Sequence, residues 1–474
     1  MTKNLAGLNF GERHASTRRD FLKAAALGAT ALPVACGQTA PPGKPTTGSE
    51  SPSRELLVED PERPQPATFD RLTLEWHQAR ARLLQDRAGA KGADLIWLSS
   101  GRNVRYFTGL FVSMTERPFG AFIPVKDLKV HFYYPFLDHD IVERWWHDES
   151  EAYFDYEHAV GGFPNQGAVK IGPPVDLHRW MLESMAKRGF GNTTIGVDRP
   201  GSIAAYQEML PSARFIDISG ICREMQSLLT PEEMALTQRA MNYGALGHAF
   251  ARDYLIQHGT DLTDWQLRCE TERFVMDTMM DDIKHDGRPH TAVGLGATVI
   301  VRAGVSTASP HPNQFCRSKI KRGDPIYTVV IPSVAGYGGE QYRVLHLEPV
   351  PEPRRKMWEV NTESGLIQAR ESKAGVRCQD VAKVVHDYQV KEGMAPYIFH
   401  RPGHGQGGRG HTPPYIALGD DTVLVEGKLF SNEPGLYNVE DGYGYGTGDT
   451  VLVAETKGIV MGQAPFTKEW CFIP

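Results

Sequence analysis

A length of 474 residues is more than one ordinary domain needs and predicts two or more units, each burying its own hydrophobic core. The net charge of -6 includes no basic excess of the kind nucleic acid attracts, which sets DNA and RNA aside as partners. Six cysteines, at 36, 222, 269, 316, 378 and 471, form no CxxC pair, which argues against a structural zinc site and leaves disulfides unassigned.

In chain order, "STRRDFLKAAALGATALPVACG" places Arg18 and Arg19 before an apolar run from about Ala24 to Cys36. The run falls short of the ~20 residues a helix needs to cross a bilayer. An amphipathic first helix is the plain alternative; the pattern resembles a twin-arginine export signal over residues 1–36. That resemblance implies the twin-arginine machinery as a partner, a periplasmic working site and, from "LPVAC", an alternative lipoprotein signal with a lipid anchor on Cys36. Residues 37–68 are rich in Pro, Gly, Ser and Thr and read as a disordered linker.

From Phe69, the residues Leu72, Trp76, Ala79 and Leu83 recur at helical spacing, and "ADLIWLSS", "KVHFYYP", "TTIGVD" and "RFIDIS" read as strands separated by polar and helical segments. This predicts an N-terminal α/β domain over 69–222 and a second domain over 223–474. The second opens on a helix with Thr230 as N-cap, Pro231 at the first position, Glu233 completing a capping box and Gly259 as its stop. Another helix starts near Thr263. Strands follow at "TAVGLGATVIVR", "DPIYTVVIPS", "EQYRVLHLE", "LFSNEPGLY" and "DTVLVAE", with helices near 355–372 and 378–393, so the expected class is α+β on an antiparallel sheet.

Titratable residues concentrate in "HRPGHGQGGRGHTPP", where His404 and His411 lie seven apart, and Glu433 of "SNEPGLY" follows 22 residues after His411. Two imidazoles and a carboxylate suit either a metal ion or proton transfer, and the loop alone does not choose between them.

Several of these segments, in this order, resemble the pita-bread superfamily of Xaa-Pro aminopeptidase, prolidase, methionine aminopeptidase and creatinase: "DLIWLSSGRNVRYFTGL", "LTPEEMALTQRAM", "GHGQGGRGH", "NEPGLY" and "GDTVLV". The resemblance implies a pita-bread catalytic domain behind a smaller creatinase/prolidase-like α/β domain. It also implies a homodimer in which Asn103 and Arg105 of one chain help close the other's pocket. Peptidases of the superfamily hold two metal ions through two aspartates, a histidine and two glutamates. Carried onto this chain, those positions fall on Val329, Glu340, His404, Glu433 and Gly448. Val329 and Gly448 offer no side-chain ligand, and without their negative charge two adjacent cations repel one another uncompensated. The resemblance therefore points to the creatinase-like members with a degenerate metal site. No metal cofactor is favoured; the alternative is one divalent ion on Glu340, His404 and Glu433.

The expected function is an exported hydrolase acting on a carbon–nitrogen bond of a small anionic molecule or peptide. His311, His404, His411, Glu340 and Glu433 are the catalytic candidates, with His311 in the place of the family's acid-base histidine. Arg409, Arg343, Tyr342 and Tyr445 are the substrate-binding candidates, since guanidinium groups bind carboxylates bidentately, although Arg343 also suits a structural ion pair. Creatine itself fits poorly, because the position of creatinase's substrate-binding glutamate holds Tyr342. The alternatives are a lyase acting by proton abstraction on a small organic acid, a mononuclear-metal Xaa-Pro peptidase-like enzyme, and a binding protein without catalysis.

Overall fold

The computed structural model describes residues 56–57, 60–153, 175–283, 293–311, 316–406 and 410–474, with backbone alone at 159–160 and 170–171. The segment that resembles an export signal, Cys36, most of the linker and Arg409 lie outside the described residues. The linker's described end is not the free coil that its composition suggests. Ala67 is buried and its N–H donates to Ala235 O at 2.9 Å, while Arg63 Nε donates to Val460 O at 3.0 Å.

The first core surrounds a six-stranded mixed sheet in the order Glu149–Tyr153, His131–Pro135, Gly120–Pro124, Leu95–Leu98, Thr194–Val197, Arg214–Asp217. All four residues of Leu95–Leu98 are buried, as a central strand covered on both faces must be. Helix Leu74–Ala90 lies against one face, capped by Thr73, whose side chain accepts from Trp76 N. The helix Ser219–Ser227 adds Ile221, Cys222 and Met225 to the same core. After the strand Leu95–Leu98, "GRN" starts the helix Gly101–Thr108, which Gly109 ends in the left-handed conformation. Asn103 and Arg105 therefore stand on a helix. The Asn103 amide donates to Asp198 within its own chain, and Arg105 stacks over Phe111.

The helix Pro231–His258 has both halves of the expected capping box and ends at Gly259; Asp264–Asp282 follows with Thr263 as its cap. Both helices pack on the antiparallel strands Gly296–Ala303, Ile326–Val334 and Gln341–Leu347. A second sheet runs His411–Ile416, Gly403–Gln406, Leu429–Asn432, Asp449–Val453, Gly458–Val460. "LFSNEPGLY", expected as one strand, divides at Pro434 into Leu429–Asn432 and Gly435–Asn438, because proline cannot supply the ladder's N–H. The two sheets meet where Tyr342 and Gly448 exchange backbone hydrogen bonds, N–H to O in both directions, at 3.0 and 3.2 Å. Cys222, Cys269, Cys378 and Cys471 are free thiols.

Candidate active site

At that meeting line, alternation along the strands separates two kinds of side chain. Tyr327, Val329 and Ile331 of one strand, Ile300 and Arg302 of its neighbour, and Glu340 and Tyr342 of the next face a cavity of about 420 Å³. His311, His400, Arg401, His411, Glu433 and Tyr437 complete much of its wall.

His404 sits at the base, fully buried. Its strand must lie close to both neighbours, which explains the glycines beside it. A Cβ at Gly403 would stand 2.4 Å from Ser431 O, and one at Gly405 would stand 2.8 Å from Thr412 O. The ring of His404 stacks on that of His411, centroids 3.7 Å apart. His404 Nδ1 faces Gly405 O at 3.2 Å, and assigning the ring proton there leaves the Nε2 lone pair directed at carboxylates. Nε2 lies 3.2 Å from Glu433 Oε1 and 3.9 Å from Glu340 Oε2, yet it is buried without a well-aligned hydrogen bond.

Glu340 is fixed from both ends. Its N–H donates to Thr450 Oγ1 at 3.0 Å, Ser431 Oγ donates to its Oε2 at 3.1 Å, and Tyr342 OH donates to the same oxygen. The Tyr342 hydroxyl also lies 3.3 Å from Glu433 Oε2. Burial acts to lower the pKa of His404, but the close approach of Glu433 and the charges of Glu433 and Glu340 outweigh it and the net shift is upward. Burial acts to raise Glu433, and His404, with smaller contributions from His400 and His411, brings it below its ordinary value. Burial pushes the Tyr342 phenol well above its usual range, and both glutamates add to the rise.

An uncapped imidazole nitrogen between two carboxylates is the donor set of a cation site. One ligand atom each from Glu340, His404 and His411 lie within 4.8 Å of one another. These residues fit one cation. They do not fit the two-ion arrangement that the resemblance would supply. Val329, only 2% exposed, has no donor atom, and a Cβ at Gly448 would stand 1.7 Å from Asn432 O, so that position has no room for a side chain at all.

The structure brings His411, Glu340, Glu433, His311 and Tyr342 to one cavity, and buries His404 directly behind Glu433 and His411. It does not bring Arg343 or Tyr445 there. Arg343 points to the other face, fully buried, with its guanidinium paired to Asp449 at 2.9 Å and bonded to the carbonyls of Tyr342, Gly448 and Ala464. Tyr445 is also fully buried, its hydroxyl 3.2 Å from His346 Nε2. Arg302 and Arg401 line the cavity instead and were missed in the sequence. Arg302 NH1 donates to Ser309 O and Pro310 O at 3.1 and 2.9 Å; its guanidinium lies 4.4 Å over Tyr327, and its Nε is buried without a partner. The signal was available in "TVIVRA", where one cation interrupts an apolar strand at a cavity-facing phase.

Comparison with known proteins agrees with this architecture. Residues 235–455 match the model of metallopeptidase family M24, and residues 80–227 match the creatinase/prolidase N-terminal domain. The chain belongs to the pita-bread M24 family. Like others of the creatinase and Xaa-Pro peptidase type, it is a hydrolase. It is 25% identical over 351 residues to an Xaa-Pro dipeptidase of Lactobacillus helveticus, covering 73% of this chain and 86% of that one. Among solved structures, prolidase from Thermococcus sibiricus superposes with a TM-score of 0.64 at 19% identity, covering 82% of this chain and 97% of that one. X-Pro aminopeptidase from Thermotoga maritima gives 0.66 at 17%, covering 83% and 99%. At these identities the structures establish the fold, and the chemistry rests on the residues of the site.

Proposed function

We propose that this M24 chain hydrolyses a carbon–nitrogen bond in a small anionic peptide, of the Xaa-Pro dipeptide kind, at a centre that takes one divalent cation. The observation that carries this reading is the buried, uncapped Nε2 of His404 between Glu433 and Glu340. Glu340, His404 and His411, whose ligand atoms lie within 4.8 Å of one another, would hold the ion, with Glu433 beside them; a cation so placed would polarise the scissile carbonyl and lower the pKa of water. Water's oxygen becomes part of the new carboxylate, and its protons are divided between a base and the departing nitrogen. Glu433, partly open to the cavity, is placed to take the first proton, and His311 on the rim to return one to the nitrogen. Arg302 and Arg401 present guanidinium groups to the same cavity, which supports a substrate bearing a carboxylate.

A second reading, acid-base catalysis without metal, is supported by the Tyr342 hydroxyl, which already bridges the two glutamates, and by the raised pKa of His404. Dipeptides with and without a second carboxylate, incubated in ¹⁸O-labelled water, test the reaction class. Hydrolysis places the label in the new carboxylate. Elimination without label would instead support the lyase alternative, and tight binding without turnover a binding protein.

Outside the site, we propose export by the twin-arginine route to the periplasm, with Cys36 as an alternative lipid anchor, because Arg18 and Arg19 precede the apolar run. Homodimerisation is proposed from the family resemblance. Fractionation of the full chain and of an Arg18→Lys/Arg19→Lys variant tests the first, and light scattering tests the second.

A further inference from the structure

Ile300, Val329 and Tyr342, which line the cavity, form one row with Gly448 beside them. Val329 is the direct register partner of both Ile300 and Tyr342, and Tyr342 is bridged in turn to Gly448. Val329 and Gly448 are the two positions where the family resemblance would place metal-binding carboxylates. The phenol of Tyr342 therefore stands between the two absent ligands, and its hydroxyl meets the two carboxylates that remain, Glu340 and Glu433.

A buried tyrosine ordinarily finds one partner for its hydroxyl, and any carbonyl will serve. Here the partners are both site carboxylates, and the strands are locked so that the ring cannot drift. Arg343 NH1 donates to Tyr342 O at 2.8 Å and to Gly448 O at 2.7 Å, tying the two strands together from behind. The three residues also suit one another in size. The backbone of Asn432 leaves Gly448 no room for a side chain, Val329 is short and apolar, and the large ring of Tyr342 lines the cavity beside Val329.

We infer that Tyr342 takes the place of a second cation: its ring stands in the cavity beside position 329, in the row that ends at 448, and its hydroxyl donates to Glu340 with Glu433 Oε2 3.3 Å away, so that it occupies the ground between the two carboxylates. The centre is thereby limited to a single ion. The inference rests on the single-cation reading above, and the test separates the two.

Mn²⁺ bound per chain is measured by equilibrium dialysis on the full chain and on Val329→Asp, Tyr342→Thr, the double variant Val329→Asp/Tyr342→Thr, and Tyr342→Phe, each checked for folding by circular dichroism. The expected result is one equivalent for the unmodified chain, Val329→Asp, Tyr342→Thr and Tyr342→Phe, and one further equivalent only in the double variant. Two equivalents in the unmodified chain, a second in Val329→Asp alone, a gain in the ring-retaining Tyr342→Phe, or none in a folded double variant would each overturn it. An unmodified chain that binds no Mn²⁺ refutes the single-cation reading, while the gain of the double variant over it still decides the role of Tyr342. Should the double variant not fold, the unmodified chain and Tyr342→Phe decide.

Discussion

The buried pair Arg343–Asp449 and the trio Glu340, His404 and Glu433 occupy opposite faces of the same strands. Tyr342 and Arg343 are consecutive, so one step along that strand passes from the cavity to a sealed interior. On the sealed side the charges cancel and Arg343 has acceptors for each of its nitrogens: Asp449 and the carbonyls of Tyr342, Gly448, Ala464 and Pro465. On the open side a buried nitrogen lacks an aligned partner and two carboxylates converge on one phenol. Satisfied buried charge holds a structure together, whereas unsatisfied buried charge awaits a ligand.

The largest expected effect breaks the open side. Glu433→Ala lowers kcat by about 10³-fold, in the range of a lost acid-base group, with little change in melting temperature. Steady-state kinetics beside a thermal melt check both halves. The converse effect falls on the sealed side. Asp449→Asn leaves Arg343 charged and unpaired, at a cost of about 3–5 kcal/mol read by denaturant unfolding. The double change Arg343→Met/Asp449→Leu costs less than that single one, because no lone charge remains.

Arg302→Met sharpens the comparison within the cavity. A lost charge-assisted hydrogen bond of about 1.5–3 kcal/mol lowers kcat/KM for substrates with an added carboxylate by about 10- to 100-fold, and leaves neutral analogues nearly unchanged. A smaller effect follows from pH. In the cation-free chain the raised His404 contributes stability that is complete below its ordinary 6.5 and is lost as pH rises through its folded value. The lowered Glu433 contributes stability present above its ordinary 4.5 and lost as pH falls through its folded value. Melting temperature without divalent ions therefore peaks between those limits and declines on either side, and His404→Gln flattens the alkaline side.

Much of this was legible in the sequence because local chemistry is written locally. The capping box of Thr230 and Glu233, the stop at Gly259 and the apolar run of "LIWL" each act within a few residues. The glycine-rich stretch around His404, by contrast, read as a loop, and only the structure shows Gly403–Gln406 as a strand pressed between two neighbours. What stayed hidden was the phase between distant strands. Arg302 gave no sign of facing a substrate, the structural ion pair favoured for Arg343 had no identified partner, and only the register placing Val329 opposite both Ile300 and Tyr342 shows which residues share the cavity. The alignment of Val329, Tyr342 and Gly448 in one row joins three segments across more than a hundred residues, which neither spacing nor propensity records.

The most direct test is reconstitution. The purified chain is stripped with a chelator and Mn²⁺ is returned in steps while hydrolysis of an acidic dipeptide is followed. Activity is predicted to vanish on stripping and to recover fully at one equivalent per chain. Activity that survives chelation, or that rises until two equivalents are bound, would contradict the single-cation centre.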